Sequence, residues 1–464
     1  MNRQTPIMDA MAAVADSARV RLCMPGHKGD TGFFGGEMLW YDITELPGAD
    51  NLLIPTGAIQ KSQALHAEYV GADTAAYITG GSTTGILAML SMFRGKKVIF
   101  PRGVHLSAAN AVFTFGIQPV YLDPPPGGDY PGVVRPADVR SALKLHRDSA
   151  AVFITYPNYF GLCCDIEAIA EIAHKSGVPL LVDVAHGAHF AYSAFLPTPP
   201  GRAGADVWVE SAHKMLPAMN QCACLCVGKN ALVDREEVLR SLRSFQTTSP
   251  SYLLLGSLDY AHAYMRDKGE SEMLRVNTLA RRFEELVNLL PGFYCPEINV
   301  PDMAARDPLK VVVDVSGSGY TGLAIKAMLA RQGIHVEAAD LKNLLLMLSV
   351  GTTAAHLDRM YEMLKSIERI QKRPVTFSPY AMPKATKYMQ NARFWGNIEK
   401  VRIDKAVGLI SAVTAGVYPP AEAVVGRGQQ ISQEIAGYLL EAIKQGFDVF
   451  GTEDEYISVY KERK

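Results

Sequence analysis

The chain has 464 residues, 48% of them hydrophobic, and a formal net charge of -1 at pH 7. A chain of this length is longer than a single hydrophobic core usually accommodates, so two or three domains are expected. No run of lysine and arginine is long enough to follow a phosphate backbone, so a nucleic-acid partner is not expected. The sequence shows neither a signal peptide nor an apolar run near the roughly 20 residues of a membrane helix. We therefore expect a cytoplasmic protein that does not bind membranes.

Short apolar runs alternate with helical stretches between about residues 75 and 230. In chain order, the predicted strands are AAYIT, KVIF, PVYL, AVFITY, PLLVDV, VWVE and ACLCVG. This alternation is typical of a mostly parallel sheet with helices on both faces. Further along, LKVVVDV and GIHVEAAD predict a smaller α/β domain, and ISQEIAGYLLEAIKQ followed by FDVFG predicts a helix and a closing strand. The sequence thus predicts an α/β protein.

The domain organisation follows from the same pattern of elements. We predict an N-terminal arm, a large domain, a small α/β domain and a C-terminal α/β domain, over residues 1–55, 56–300, 301–373 and 376–464. Pro374 and the stretch PVTFSPYAMP are interpreted as a linker between the last two domains.

Cysteines are few, and their odd count of seven is typical of reduced thiols rather than a disulfide framework. Cys222, Cys224 and Cys226 lie in QCACLCV, which resembles a metal-binding motif at first sight. The spacing is that of a strand, however, and the motif lacks a second pair of ligands. We therefore predict buried thiols and no metal site.

A glycine-rich turn, GGSTTG at residues 80–85, lies between a predicted strand and a helix. Backbone N–H groups and the helix dipole can receive a phosphate there, and Ser82 and Thr83 would add hydroxyl donors. The turn is not a Walker loop, because the required Gly-Lys-Ser/Thr ending is missing. By itself it is also an ordinary connection between a strand and a capped helix, so both interpretations stay open.

Two charged residues lie at the ends of apolar strands, where ligands bind in parallel α/β sheets. Lys214 follows VWV, and Asp183 ends the strand of LLVDVAHGAH. A carboxylate on so apolar a strand needs a compensating partner. The protonated ring nitrogen of pyridoxal 5′-phosphate (PLP) is such a partner, and PLP is bound by a lysine. A carboxylate that caps a helix or pairs with a structural lysine is the alternative.

The run S-x-H-K-x-x-x-x-x-x-Q, formed by Ser211, His213, Lys214 and Gln221, resembles the PLP-lysine signature of the bacterial ornithine/lysine/arginine decarboxylases. The resemblance covers most of the chain in matching order, through MPGHKGD, ITELPGADNLLIP, GGSTTG, RGVHLS, TYPNYFG, VDVAHGAHF and TTSPSYLLLGSLD. It implies the PLP-dependent fold type I, like that of the aspartate aminotransferases, in the shorter form without an N-terminal wing domain.

The resemblance also implies roles for the matching residues. Lys214 would be the Schiff-base lysine, Asp183 would pair with the ring nitrogen, and His105 would stack on the ring opposite Ala185. These implied catalytic residues are Lys214, His105 and Asp183. Further cofactor contacts are implied for Gly81, Ser82, Thr83, His186, Ser211 and His213, and for Thr248 and Ser249 of a neighbouring subunit. A homodimer with shared active sites is therefore expected.

The implied reaction is decarboxylation of an amino acid, with a basic one (arginine, lysine or ornithine) as the expected substrate. An aminotransferase or lyase on the same fold, and a PLP-binding subunit without turnover, stay open as alternatives. The third segment departs from the family, because Ala421-Glu422-Ala423 stands where the family shows Gly-Ile-Pro. Glu422 and Glu337 are candidates for meeting the charged end of a basic substrate.

Overall fold

The structure, a computed structural model, describes residues 4–17, 20–123, 127–371, 377–389, 396–418 and 422–461. The predicted linker residue Pro374 and residues 419–421 lie outside them. Two compact units make up the chain, the first from Met1–Met92 and Pro179–Met273, the second from Phe93–Val178 and Leu274–Lys464. The predicted domain boundaries stay predictions.

The helices in chain order are α1 (Pro6–Ser17), α2 (Met38–Tyr41), α3 (Ala58–Val70), α4 (Gly81–Ser91), α5 (Leu106–Phe115), α6 (Pro136–Leu145), α7 (Ile166–Lys175), α8 (Pro200–Ala203), α9 (Ala212–Met215), α10 (Arg235–Arg243), α11 (Tyr252–Val287), α12 (Gly322–Arg331), α13 (Ala354–Lys365) and α14 (Gln433–Lys444). Within the described ranges, no helix is both long enough and apolar enough to cross a membrane.

The strands in chain order are β1 (Ala72–Ile78), β2 (Lys97–Pro101), β3 (Gln118–Leu122), β4 (Ser149–Thr155), β5 (Leu162–Cys163), β6 (Leu180–Val184), β7 (Val207–Glu210), β8 (Ala223–Gly228), β9 (Ala305–Arg306), β10 (Lys310–Asp314), β11 (Ala338–Ala339), β12 (Asn343–Met347), β13 (Ile398–Arg402), β14 (Ile410–Ser411), β15 (Ala415–Tyr418), β16 (Glu422–Val425), β17 (Asp448–Phe450), β18 (Thr452–Glu453) and β19 (Tyr456–Tyr460).

In the first unit, four strands pair in the order β1, β8, β7, β6. Strands β6 and β7 run parallel, whereas β8 is antiparallel to both of its neighbours. All residues of β6, β7 and β8 are buried, as expected for strands that are covered on both faces. Helix α3 packs on β1, and α4 packs on β7 and β8. The parallel pair β6 and β7 therefore presents its carboxyl ends side by side.

In the second unit, the parallel strands β4, β2 and β3 lie in that order. A smaller antiparallel sheet has the order β10, β12, β11. Towards the C-terminus, α14 packs against the sheet β16, β15, β17, and a buried apolar core that includes Val424, Ile435 and Leu439 joins them. The predicted strands outside GIHVEAAD and the predicted C-terminal helix are thus present where their hydrophobic periodicity places them, whereas within GIHVEAAD only Ala338–Ala339 forms a strand.

Candidate active site

Lys214 lies immediately beyond the buried strand β7. Ser211 is the N-cap of the short helix α9, and the Lys214 N–H donates to the Ser211 carbonyl oxygen over 3.1 Å. The side chain of Lys214 is half-buried, and its Nζ lies 3.1 Å from Nε2 of His186. The lysine predicted from sequence is therefore held at a strand end with an imidazole beside its amino group.

Asp183 lies one strand away, near the end of β6. The parallel register pairs Asp183 with Val209 and Val184 with Glu210, so the two strands end together. Asp183 is only 3% exposed, and its Oδ1 accepts a hydrogen bond of 3.0 Å from the Ala185 N–H. This contact orients the carboxylate, because the chain turns sharply after Val184 and brings the next amide back towards it. The two charged residues thus occupy adjoining strand ends.

Among the residues predicted to bind the phosphate, Ser82 and Ser211 contribute side-chain hydroxyls, whereas Gly81 contributes only its backbone. The Ser211 hydroxyl donates to the Ser82 hydroxyl over 2.8 Å, which joins the start of α4 to the end of β7. Gly81 takes a positive φ of 76°, and its N–H donates to the Gln221 carbonyl oxygen over 2.9 Å. Gly81 therefore shapes the turn, Ser82 and Ser211 carry linked hydroxyl groups beside it, and the exposed Thr83 follows next along α4.

His213 adjoins this hydroxyl pair in sequence. Its Nδ1 lies 2.9 Å from the Cys222 carbonyl oxygen, an acceptor, so Nδ1 carries the proton. Burial lowers the pKa of His213, although the hydrogen bond to Cys222 opposes the shift. In the neutral ring Nε2 is an acceptor, and it becomes a donor only when an anion stabilises the imidazolium.

Three further residues are predicted to contact the cofactor, namely His105, Thr248 and Ser249. His105 is the N-cap of α5 in the second unit, and its Nδ1 accepts from the Ser107 N–H over 3.2 Å. Thr248 and Ser249 are exposed on the first unit between α10 and α11, and the Ser249 N–H donates to Thr247 Oγ1 over 3.1 Å. Exposure leaves both side chains available to another copy of the chain.

The second unit contains a cavity of about 420 Å³ near His105. Glu422 lines it, and the backbone of Glu422 forms a β-bridge to His105. Gly103 permits this approach, because a Cβ there would lie 2.6 Å from the Glu422 Oε2. Burial raises the pKa of Glu422 to about 8. The other polar residues of the lining are Arg102, Asp123, Thr155, Asn158, Tyr380 and Lys384.

Arg102 and Glu337 have local partners. The buried Arg102 guanidinium donates to the carbonyl oxygens of Pro383 and Val424, over 2.8 and 3.0 Å. Glu337 accepts a hydrogen bond of 2.5 Å from the Tyr159 hydroxyl. Within the described residues, by contrast, no hydrogen bond or ion pair joins the carboxyl group of Glu422. It is the better placed of the two acids proposed from sequence to meet a cation.

Sequence reasoning missed Asp123 and Tyr380 as cavity residues. Asp123 follows β3 directly, so the rule that strand ends carry chemistry could have found it. Tyr380 lies in the PVTFSPYAMP stretch, where no local pattern predicts a functional side chain; its hydroxyl donates to Asp340 Oδ2 over 2.7 Å.

Comparison with known proteins shows the family to which the chain is related. Residues 5–290 match the family model described as Orn/Lys/Arg decarboxylase, major domain. The chain is 31% identical to an arginine decarboxylase of Bacillus subtilis, with 99% of both chains covered. It is also 31% identical to an arginine decarboxylase of Halalkalibacterium halodurans, with 97% of this chain and 96% of that one covered.

Solved structures confirm the predicted fold. A lysine decarboxylase of Francisella novicida superimposes with a TM-score of 0.83 at 19% identity, over 99% of this chain and 82% of the other. An alanine–glyoxylate aminotransferase of Nostoc sp. superimposes with a TM-score of 0.55 at 17% identity, over 68% and 88% of the two chains. The fold is therefore the aminotransferase-like α/β fold that the motifs imply. By its matched domain and its full-length relatives, the chain belongs to the ornithine/lysine/arginine decarboxylase family.

Proposed function

We propose that this protein is a PLP-dependent decarboxylase of a basic amino acid. The observation that carries the proposal is the placement of Lys214 and Asp183 at the adjoining ends of parallel strands, one half-buried and the other almost fully buried. The names of the similar proteins, arginine and lysine decarboxylases, support the reaction and the substrate class.

The chemistry of the donors fits PLP. Asp183 is a buried acceptor suited to a protonated ring nitrogen, and Lys214 is an amine suited to the aldehyde. Ser82 provides a hydroxyl at the N-terminus of α4, where the helix dipole favours a phosphate, and the Ser211 hydroxyl donates to it from the N-cap of α9. We infer that these four residues, with Gly81, Thr83, Ala185, His186 and His213, form the cofactor site in the first unit.

When bound, PLP accepts the electrons that are released as the substrate carboxylate leaves. Asp183 holds a proton at the ring nitrogen, because an anion beside that nitrogen favours its charged form. His186 can take a proton from Lys214 Nζ, 3.1 Å away, so that the amine is free to react. Lys214, or His105 as the family resemblance implies, would return a proton to the substrate Cα.

Recognition of the substrate side chain is assigned to Glu422. Its carboxyl group lines the cavity, has no described partner, and has a pKa raised by burial to about 8. A guanidinium or ammonium group would supply the missing counter-charge, which favours the ionised carboxylate. A neutral side chain would leave Glu422 unpaired. The cavity therefore favours arginine, lysine or ornithine over amino acids of similar size without charge.

Release of CO₂ from a panel of free amino acids by the PLP-loaded protein tests this function. We expect turnover of at least one of arginine, lysine and ornithine, and little or none of neutral or acidic amino acids. Glu422→Gln should raise KM for the preferred substrate by roughly 10- to 100-fold, because a charge-assisted contact is lost. In the wild type, KM should fall as the pH rises towards 8, since the carboxyl group then binds a cation without first losing a proton.

Glu434→Gln is the matched control, because Glu434 is exposed in the first turn of α14. It should leave KM and its pH dependence unchanged. Conversion of the amino acid to a keto acid without CO₂ would identify an aminotransferase instead. Binding of PLP without turnover of any amino acid would identify a non-catalytic subunit. Preference for a neutral substrate would overturn the assignment of Glu422 alone.

We also propose that the active unit is a homodimer in which Thr248 and Ser249 of one subunit complete the phosphate site of the other. Their exposure on a loop between two helices supports this arrangement. Lys214→Ala and Thr248→Trp should each be inactive, yet their mixture should recover up to about a quarter of the wild-type activity, because half of the dimers are mixed and each holds one intact site. Absence of recovery after subunit exchange, proven by mass spectrometry, would contradict shared sites.

A further inference from the structure

A second group of chemically reactive side chains lies within the first unit and takes no part in the mechanism above. Cys224 and Cys226 lie on β8, two residues apart, so their side chains project from the same face of the strand. The register of β7 and β8 places Glu210 directly opposite Cys224. Helix α3 adds His66. We call these four residues, His66, Glu210, Cys224 and Cys226, the Cys–His cluster.

Three side chains of the Cys–His cluster, His66, Cys224 and Cys226, lie close enough together to share one metal ion. The two sulfur atoms are 3.7 Å apart, and His66 Nε2 lies 3.3 Å from Glu210 Oε2. One ligand atom each from His66, Cys224 and Cys226 lies within 4.8 Å of the others. Zinc bonds of about 2.3 Å to sulfur and 2.0–2.2 Å to nitrogen and oxygen give ligand separations of about 3.3–3.8 Å in a tetrahedron.

The cluster is also fully buried and incompletely bonded. His66, Cys224 and Cys226 have no exposed surface, and Glu210 is 3% exposed. Among the described residues, no hydrogen bond of good geometry reaches either ring nitrogen of His66 or Oε2 of Glu210, and a 3.3 Å ion-pair contact joins Nε2 to Oε2. Buried polar atoms of this kind are unfavourable unless something binds them. A cation bound by His66, Cys224 and Cys226 would satisfy the imidazole and both sulfur atoms together.

The residues around the cluster support its donors. Glu210 Oε1 accepts a hydrogen bond of 2.7 Å from Trp208 Nε1, which turns Oε2 towards His66. The His262 ring stacks on His66 at 3.7 Å, and burial holds its pKa well below the usual value, so it adds no positive charge. Outer contacts that orient ligands in this way are typical of metal sites.

We propose that the Cys–His cluster binds one Zn²⁺ ion through His66, Cys224 and Cys226, with Glu210 held beside His66, as a structural site of the first unit. Complete burial leaves the ion without access to a substrate, which is the property of structural rather than catalytic zinc. Binding releases one proton from each thiol and changes no oxidation state. The expectation of no metal rested on the lack of a second ligand pair beside the cysteines; α3 supplies a third ligand, His66, from a distant part of the sequence.

The test uses full-length PLP-loaded protein from cells grown with added Zn²⁺, and in parallel with Co²⁺. Elemental analysis after desalting should find about one metal ion per chain. The cobalt form should show thiolate-to-cobalt charge-transfer bands, which a buried ion pair between His66 and Glu210 cannot produce. Cys226→Ser and His66→Gln should each lower the metal content at least tenfold.

Cys222→Ser is the matched control, because Cys222 is buried beside the same strand but its Sγ contacts the Leu254 carbonyl oxygen at 3.2 Å. It should retain the metal. Wild-type protein that contains less than a tenth of an equivalent of metal, both from supplemented cells and after refolding with Zn²⁺, would overturn the proposal. Metal content and cobalt spectra are read without any assay of decarboxylation, so this outcome is separate from the proposed function.

Discussion

Replacing Lys214 with alanine should lower decarboxylation by roughly 10³-fold or more, as is usual when the residue that bonds covalently to a reactant is removed. The change should also abolish the covalent adduct that borohydride forms between PLP and the wild-type protein. Both effects follow from the loss of an amine at the end of β7, where no other lysine of α9 can replace it. Peptide mass mapping of the reduced protein and a CO₂ assay measure them.

Lys229→Ala is the matched control for this experiment. Lys229 follows β8 and is exposed, so its removal should leave both the adduct and the rate unchanged. The overall fold of Lys214→Ala should persist, because the backbone contact between Lys214 and Ser211 does not need the side chain. An adduct that survives in Lys214→Ala at the same strand-end peptide would show that another residue carries the cofactor.

Asp183→Asn should bind PLP yet decarboxylate its substrate roughly 10²-fold more slowly or worse. The amide has nearly the shape of the carboxylate, and its oxygen can still accept from the Ala185 N–H, so β6 should keep its geometry. It carries no negative charge, however, and therefore cannot favour a proton on the ring nitrogen. The measurement is kcat together with PLP content and the absorption spectrum of the bound cofactor.

Asp234→Asn provides the comparison. Asp234 is also a carboxylate with a backbone partner, since it caps α10 by accepting from the Glu237 N–H over 2.8 Å. Asparagine caps helices about as well as aspartate, so this variant should retain full activity. If Asp183→Asn kept a kcat near that of the wild type, Asp183 would have a purely structural role, which is the alternative that its position on an apolar strand allows.

The sequence by itself determined the order of the main strands and helices and the strand ends at which we expect the chemistry. Alternating apolar strands and amphipathic helices leave few arrangements other than an α/β sheet, and the polar residues at strand ends then mark one edge. Lys214 and Asp183 were predicted for this reason, because each follows or ends a local apolar run whose period is visible in the chain. The family resemblance added His105, Thr248 and Ser249, which no local pattern distinguishes.

Only the tertiary structure decided which distant side chains meet. The hydroxyls of Ser82 and Ser211 bond across 129 positions of sequence, and His186 reaches Lys214 across 28. Such contacts depend on strand register and on the angles at which helices leave the sheet, neither of which a local hydrophobic period contains. The same reason explains the Cys–His cluster: the period of two along β8 predicted that Cys224 and Cys226 share a face, whereas His66 and Glu210 join them only because α3 and β7 pack beside that strand.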